Sequence, residues 1–397
     1  MKITCVEVIA IKKDPVRGSR PVLCRVHTDE GVYGCGEAQL AIGVGAGPVF
    51  EAIKDLSPMI LGMDPLYNEV IWEKLRRSSY WGLGNGVILM SAISAIDIAL
   101  WDIKGKVCNL PLYQLLGGIQ REKLRCYASQ IHFGWGIDRS DPNSPKIGET
   151  AWFYEAAKNA VAEGYTAVKT GLLFYGRQGE RVEYKWTTNH LSRELMRMAE
   201  ERLAATREAV GPDVDIILEC HSTTDANTVI QLAEMAENYD IMLIEEATAP
   251  LNPQVMRRIA DKIDIPLATG ERIFSRWGFL PFLENGSLSV IQPDVGTCGG
   301  LTEIKKICDM AHVYDVSVQP HVCTSPISYA ASLHLEAAIP NFFIHEHHIA
   351  SGEPFMTEIC TDHFIPKDGY LSVPEKPGIG VEISEKALSE ACVETVR

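Results

Sequence analysis

Between Ile216 and His348 the chain repeats one unit, a short apolar run with an ionisable residue at or just past its C-terminal end. Ile216-Ile217-Leu218 leads to Glu219-Cys220-His221, and Ile241-Met242-Leu243-Ile244 leads to Glu245-Glu246. Ile265-Pro266-Leu267-Ala268 leads through Thr269-Gly270 to Glu271-Arg272. Leu288-Ser289-Val290-Ile291 precedes Gln292-Pro293-Asp294, and Val316-Ser317-Val318 precedes Gln319-Pro320-His321. Phe342-Phe343-Ile344 ends at His345-Glu346-His347-His348. Successive units lie roughly 25 residues apart, room for a strand, a loop and a helix. A parallel barrel of such units gathers its strand C-termini on one face, so residues distant in sequence converge there. This pattern predicts an enzyme.

The 397 residues suit one large domain plus a smaller one, and 46% hydrophobic with 22% charged residues is an ordinary globular composition. A net charge of −15 argues against nucleic acid and anionic membrane surfaces as partners. An anionic small substrate stays compatible, because a bound divalent cation reverses the local field. The eleven cysteines include no CxxC pair, which argues against zinc ribbons and thioredoxin-like chemistry and for a reducing, cytoplasmic setting. Met1-Lys2-Ile3-Thr4 enters a strand pattern directly, with no signal-peptide architecture and no apolar run of membrane-spanning length.

The first 120 residues have another texture. Val6 to Ile11, Val22 to Thr28 and Val32 to Glu37 read as strands of an antiparallel meander, with a tight turn at Asp29-Glu30-Gly31. Helical patterns follow at Val49 to Leu56, Leu66 to Arg77 and Val87 to Lys106. The last is apolar on nearly every side, which predicts a buried helix. From Leu124 the βα rhythm begins: strand Leu124 to Ser129, helix Ala151 to Glu163, strand Gly164 to Lys169, helix Leu191 to Val210. The connections from His132 to Gly148 and from Leu172 to Asn189 are long, which predicts functional or mobile loops.

Glu219, Glu245 and Glu271 end consecutive strands. Oxygen-only ligation of this kind suits a hard cation such as Mg²⁺. A single acidic residue after a strand is more often a helix cap, but three in register with nearby histidines weaken that explanation. His221, two residues past Glu219, should face the same way in an extended segment. A carboxylate such as Asp294 on one ring nitrogen of His321 would fix the tautomer and raise the basicity of the other. Lys169 ends a strand, where a rim lysine reaching to solvent is the ordinary alternative. His345, His347 and His348 alternate faces along a strand, which argues against a joint zinc site. The glycines of Gly34 to Glu37 and Gly43 to Gly47 lie outside any βαβ unit, so a nucleotide loop is disfavoured.

These residues resemble those of the enolase superfamily, in the mandelate racemase-like branch, nearest to acid-sugar dehydratases of the galactonate dehydratase type. The resemblance spans nearly the whole chain and rests on Ser94 to Gly105, Ile244-Glu245-Glu246, Gly270-Glu271-Arg272, Gln292-Pro293-Asp294 and Pro320-His321. It implies a modified TIM (β/α) barrel with an N-terminal α+β capping domain: residues 1–120 as the cap, 121–355 as the barrel, and 356–397 packing back towards the cap. It implies Glu219, Glu245 and Glu271 as Mg²⁺ ligands, and His321, oriented by Asp294, as general base. It further implies His221 as general acid, Glu346 beside the substrate carboxylate, and Gly36 with Ala41 to Pro48 where the cap closes. Two departures stand out. The first ligand is usually Asp, and Lys169-Thr170-Gly171 lacks the second lysine of a racemase Lys-x-Lys, which counts against racemisation. The implied reaction is Mg²⁺-assisted removal of a proton α to a carboxylate, giving an enediolate, then loss of a β-hydroxyl to form a 2-keto-3-deoxy acid.

Expected partners are a small sugar-acid substrate and further copies of the chain in a homo-oligomer. Epimerisation or cycloisomerisation by the same proton abstraction is the alternative chemistry. A catalytically silent metabolite-binding protein is the alternative class, and it would be expected to have lost a ligand or the His/Asp pair.

Overall fold

The computed structural model describes residues 1–397. Its cap begins with the antiparallel strands β1 (Ile3–Ala10), β2 (Val22–Thr28) and β3 (Tyr33–Ala38). Helices α1 (Ala46–Leu56), α2 (Asn68–Ser78) and α3 (Val87–Cys108) follow, each within three residues of the predicted limits at either end. α3 is buried along most of its length, as its all-round apolar surface requires. β3 lies directly on it: a Cβ at Gly34 would stand 2.0 Å from the Ala99 carbonyl oxygen, and one at Gly36 would stand 1.8 Å from that of Ala95. Gly36 therefore serves strand–helix contact inside the cap.

The second body is a parallel barrel. Its strands are β4 (Lys123–Ser129), β5 (Ala167–Thr170), β6 (Asp215–Glu219), β7 (Ile241–Glu245), β8 (Leu267–Thr269), β9 (Val290–Ile291), β10 (Ser317–Val318) and β11 (His345–His348). From β4 to β10 each pairs with the next in parallel, and β11 pairs with β4. Closure comes at Val318, whose N–H donates to Asn341 O (2.8 Å) and whose carbonyl accepts from Phe343 N–H (2.8 Å). A helix follows every strand, though after β11 only a 3-10 turn (Ile349–Gly352) and the one-turn helix Pro354–Thr357 do so. There the chain crosses to β12 (Tyr370–Ser372), antiparallel to β4, and ends in β13 (Cys392–Val396), antiparallel to β1 in the cap sheet. No helix is long and apolar enough to cross a membrane. The second barrel strand starts at Ala167 rather than Gly164, because Gly164 turns at φ +90°.

The barrel interior holds one apolar layer of Tyr127, Ala167, Ile217, Leu243, Ala268, Val290 and Ile344. Side chains alternate along a strand, so the residues two further on face inward just above that layer. They are Ser129, Lys169, Glu219, Glu245, Gly270, Gln292 and Glu346. Burial of each large aliphatic side chain in the layer contributes about 1.5–3 kcal/mol, which fixes strand register and hence the polar tier above it. Gly270 has no side chain there because a Cβ would stand 2.4 Å from the Gln292 backbone.

The two long connections are tied down rather than left loose. Arg202, 1% exposed on helix Arg193–Val210, donates to the carbonyls of Leu172 (2.7 Å), Tyr175 (2.6 Å), Gly148 (2.6 Å) and Gly176 (3.2 Å). One guanidinium thus joins both loops to the barrel wall. Arg202→Ala would strand these buried acceptors and should cost about 3 kcal/mol or more. The measurement is the denaturant midpoint, and an unchanged midpoint would show the loops need no such tie.

Candidate active site

The polar tier opens at the C-terminal mouth of the barrel. Lys169, 1% exposed, contacts three carboxylates: Glu219 Oε2 (3.1 Å), Glu346 Oε1 (2.9 Å) and Glu245 Oε1. It is an interior ammonium rather than a rim lysine. Burial alone would lower its pKa, but Glu245, Glu346, Tyr127 and Glu219 together raise it well above the ordinary lysine value. Glu346 also accepts from Ser129 Oγ–H (2.6 Å) and Val322 N–H (2.8 Å). Against the pull of burial, Lys169 and nearby imidazoles hold its carboxyl below the usual range. Glu245 moves the other way: burial and the neighbouring Glu219 charge raise it well above normal.

Glu219 reaches three partners with its longer side chain, one of them the Gln130 amide, which donates to Oε2 at 3.4 Å. Oε2 meets Lys169, and Oε1 accepts the His221 backbone N–H at 2.7 Å. The expectation that His221 shares a face with Glu219 through extended backbone is wrong. β6 ends at Glu219, and His221 and Ser222 turn left-handed at φ +51° and +55°. The turn, not strand alternation, carries the imidazole over the site, with Nε2 3.6 Å from Glu271 Oε1. Phe174, from the long loop after β5, lies against the His221 ring at 5.7 Å between centroids.

Glu271 has a histidine at each oxygen, since His321 Nε2 stands 3.4 Å from Oε2. On its far side His321 Nδ1 bonds Asp294 Oδ2 at 2.7 Å. Burial disfavours the imidazolium, yet Glu271, Asp294 and Glu346 hold its pKa up to about 10. Direct contacts therefore join Asp294, His321, Glu271, His221, Glu219, Lys169, Glu245 and Glu346 into one constellation.

Several members escaped sequence reasoning. Gln292 and Gln319 both donate to Glu245 Oε2, at 2.6 and 3.5 Å. Their signal was the repeated Gln-Pro two residues ahead of Asp294 and His321. Arg272 contacts both Glu246 and Glu271, and Glu246 keeps a buried Oε1 without a partner. His221, Glu246 and Glu271 also bring one ligand atom each within 4.8 Å of the others. That group could hold a metal ion; of the three expected ligands only Glu271 belongs to it, Glu219 and Glu245 being paired with Lys169. The three strand histidines have separate partners: His345 bonds Glu336 (2.7 Å), His347 bonds Tyr329 (2.7 Å), and His348 Nδ1 accepts from Ala350 N–H (3.1 Å).

Two family models match, Enolase C-terminal domain-like over residues 152–387 and the mandelate racemase/muconate lactonizing enzyme N-terminal domain over residues 6–117. The chain belongs to the enolase superfamily. A D-galactonate dehydratase of Pectobacterium atrosepticum is 34% identical over 383 residues, covering 94% of this chain and 91% of the relative. A D-xylonate dehydratase of Haloferax volcanii is 31% identical over 391 residues, covering 98% and 89%. An enolase-superfamily member from Salmonella Typhimurium has a similar solved structure, with TM-score 0.95, 51% identity and full coverage of both chains. The 3,6-anhydro-D-galactonate cycloisomerase of Zobellia galactanivorans has TM-score 0.83 at 28% identity, covering 98% and 99%. This superfamily member is an enzyme.

Proposed function

We propose that the protein is an Mg²⁺-dependent hydro-lyase that dehydrates a sugar acid of the aldonate class to a 2-keto-3-deoxy acid. The observation that carries this reading is the pair of histidines at the two oxygens of Glu271, one of them backed by Asp294. A dehydration needs two proton carriers, and these imidazoles differ in environment. Asp294 holds the proton on His321 Nδ1, so that the neutral imidazole takes the α-proton on Nε2. His221 is 39% exposed at its side chain, where it can exchange protons with solvent. It protonates the departing β-hydroxyl, so the C–O bond breaks with loss of water, and the enol product tautomerises to the keto acid. Gly171 stands where a second strand lysine would be, so this chain offers no opposite base for racemisation.

Donor chemistry fits Mg²⁺. Glu219, Glu245 and Glu271 offer only oxygen, and a single buried lysine faces three of the carboxylates clustered here. When bound, the cation would supply charge neutralisation at the substrate carboxylate and so stabilise the enediolate. Lys169, paired with Glu346 at 2.9 Å, would orient the substrate carboxylate. The D-galactonate and D-xylonate dehydratase relatives support the substrate class.

The test follows keto-acid formation and solvent-deuterium exchange side by side on D-galactonate, D-xylonate and other aldonates. Wild type should give keto acid, whereas deuterium uptake without keto acid would mean epimerisation. His221→Asn should lose dehydration by about 10²–10⁴-fold while the α-proton still exchanges through His321. Dehydration at near wild-type kcat, with only KM raised, would reduce His221 to a binding group.

A further inference from the structure

The Asp294–His321 pair is assembled from two separate turns, after β9 and after β10, and the cap reaches into both. Past β3 the Leu40 N–H donates to the Ala38 carbonyl (2.8 Å), a tight turn that presents Gln39 to the barrel. Gln39 is 8% exposed. Its backbone N–H donates to Gly296 O at 3.0 Å, while Gly296 N–H donates to Asp294 Oδ1 at 2.7 Å. Its side-chain amide donates to the carbonyl of Cys323, two residues past His321. The approach is close, for a Cβ on Gly296 would stand 2.6 Å from Gln39 Cβ. One residue of the cap thus spans the turn that carries Asp294 and the turn that carries His321.

Glu37 reinforces the second turn. Fully buried, it accepts from Ser325 N–H (3.1 Å), Ser325 Oγ–H (2.7 Å) and Ser328 N–H (3.1 Å). Ser325 caps the helix Pro326–Ala338, so a carboxylate from the cap sits at that helix N-terminus. The chain leaving His321 is therefore held at Cys323 and again at Ser325.

We infer that Gln39 is a positioning residue for the base: it sets the separation of the two turns and so the Asp294–His321 hydrogen bond. The catalytic consequence rests on His321 being the base, as proposed above. The structural consequence does not. A hydrogen bond of this length, held by two turns with no covalent link between them, depends on whatever fixes their distance. Loss of the amide leaves Cys323 O without its donor and leaves the two turns joined only on the strand side, by His321 N–H to Pro293 O at 3.2 Å and Gln319 N–H to Ile291 O at 3.0 Å. A displacement of about 1 Å at a catalytic group is worth roughly 100-fold in rate.

The primary test reads the hydrogen bond itself, without substrate. In ¹⁵N-histidine-labelled protein, the low-field Nδ1 proton of His321 is assigned by its loss in His321→Asn. Gln39→Met, similar in length but with no donor, should move that resonance upfield and exchange it with water about tenfold faster or more. Gln39→Asn, one methylene too short to span the gap, carries the same expectation should the methionine variant fold poorly. An unmoved resonance in a folded variant overturns the inference, whatever the enzyme acts on.

Kinetics on D-galactonate and D-xylonate then test the catalytic half. Gln39→Met should lower kcat for α-proton exchange roughly 10- to 100-fold with KM nearly unchanged. Combined with Asp294→Asn it should add little further loss, because both act through one hydrogen bond. Full additivity, or a change in KM alone, overturns the catalytic half. Undiminished exchange in His321→Asn overturns the base assignment and leaves the spectroscopic result standing.

Discussion

Treating the protein with a chelator should leave it folded and without turnover, and adding Mg²⁺ should restore activity. The expectation follows from charge. Glu219, Glu245 and Glu346 crowd one buried tier, where Lys169 touches all three, and Glu271 stands beside the tier between the two histidines. Burial together with the adjacent Glu219 charge raises Glu245, while against burial Lys169 and the histidines hold Glu219, Glu271 and Glu346 below the ordinary range, so three carboxylates stay charged beside it. A divalent cation relieves this and should stabilise the fold, by about 2.7 kcal/mol at a hundredfold excess over Kd. Thermal melts with and without Mg²⁺ therefore report binding independently of any substrate. Glu245→Gln should abolish that stabilisation and lower turnover by about 1,000-fold or more. The variant should still fold, since its amide keeps the shape and Lys169 retains Glu219 and Glu346. Full activity after chelation, with no metal added back, would refute the assignment.

His321→Asn should stop exchange of the substrate α-proton with solvent deuterium, a fall of about 10²–10⁴-fold. Such a proton is far too weakly acidic for an ordinary imidazole, and this one is tuned by its neighbours. Despite burial, Glu271, Asp294 and Glu346 hold its pKa up to about 10 in the metal-free protein, which keeps it protonated at neutral pH. A cation on Glu271 would withdraw that charge and leave Nε2 free to accept, with Asp294 keeping the proton on Nδ1. Asp294→Asn keeps the side-chain volume but presents an amide to Nδ1, so exchange should slow through loss of the correct tautomer. The rival base is Lys169. Its contacts with three carboxylates hold the proton on it, and an ammonium so stabilised is a poor acceptor. Isotope exchange followed by NMR in both variants decides the matter, and exchange at the wild-type rate in His321→Asn would assign the base elsewhere, with Lys169 next in line.

Local patterning carried much of the site. Ile217 and Leu243 point into the barrel, so Glu219 and Glu245, two residues on, do the same, and period-two alternation is legible in any strand. The buried helix α3 was equally legible, because an apolar surface on all sides has only one stable place. Three features required the folded chain. The left-handed backbone at His221 is a choice among local minima that its own sequence leaves open, settled where its N–H meets Glu219. The guanidinium of Arg202 satisfies carbonyls of two loops, which neither loop's composition announces. β13 leaves the barrel to complete the cap sheet beside β1, and Gln39 crosses from that cap to the turns around Asp294 and His321. Alternation and amphipathicity arise between residues a few positions apart, so a sequence displays them. Hydrogen bonds across hundreds of residues form only after packing brings their partners together, and the tertiary structure alone decides them.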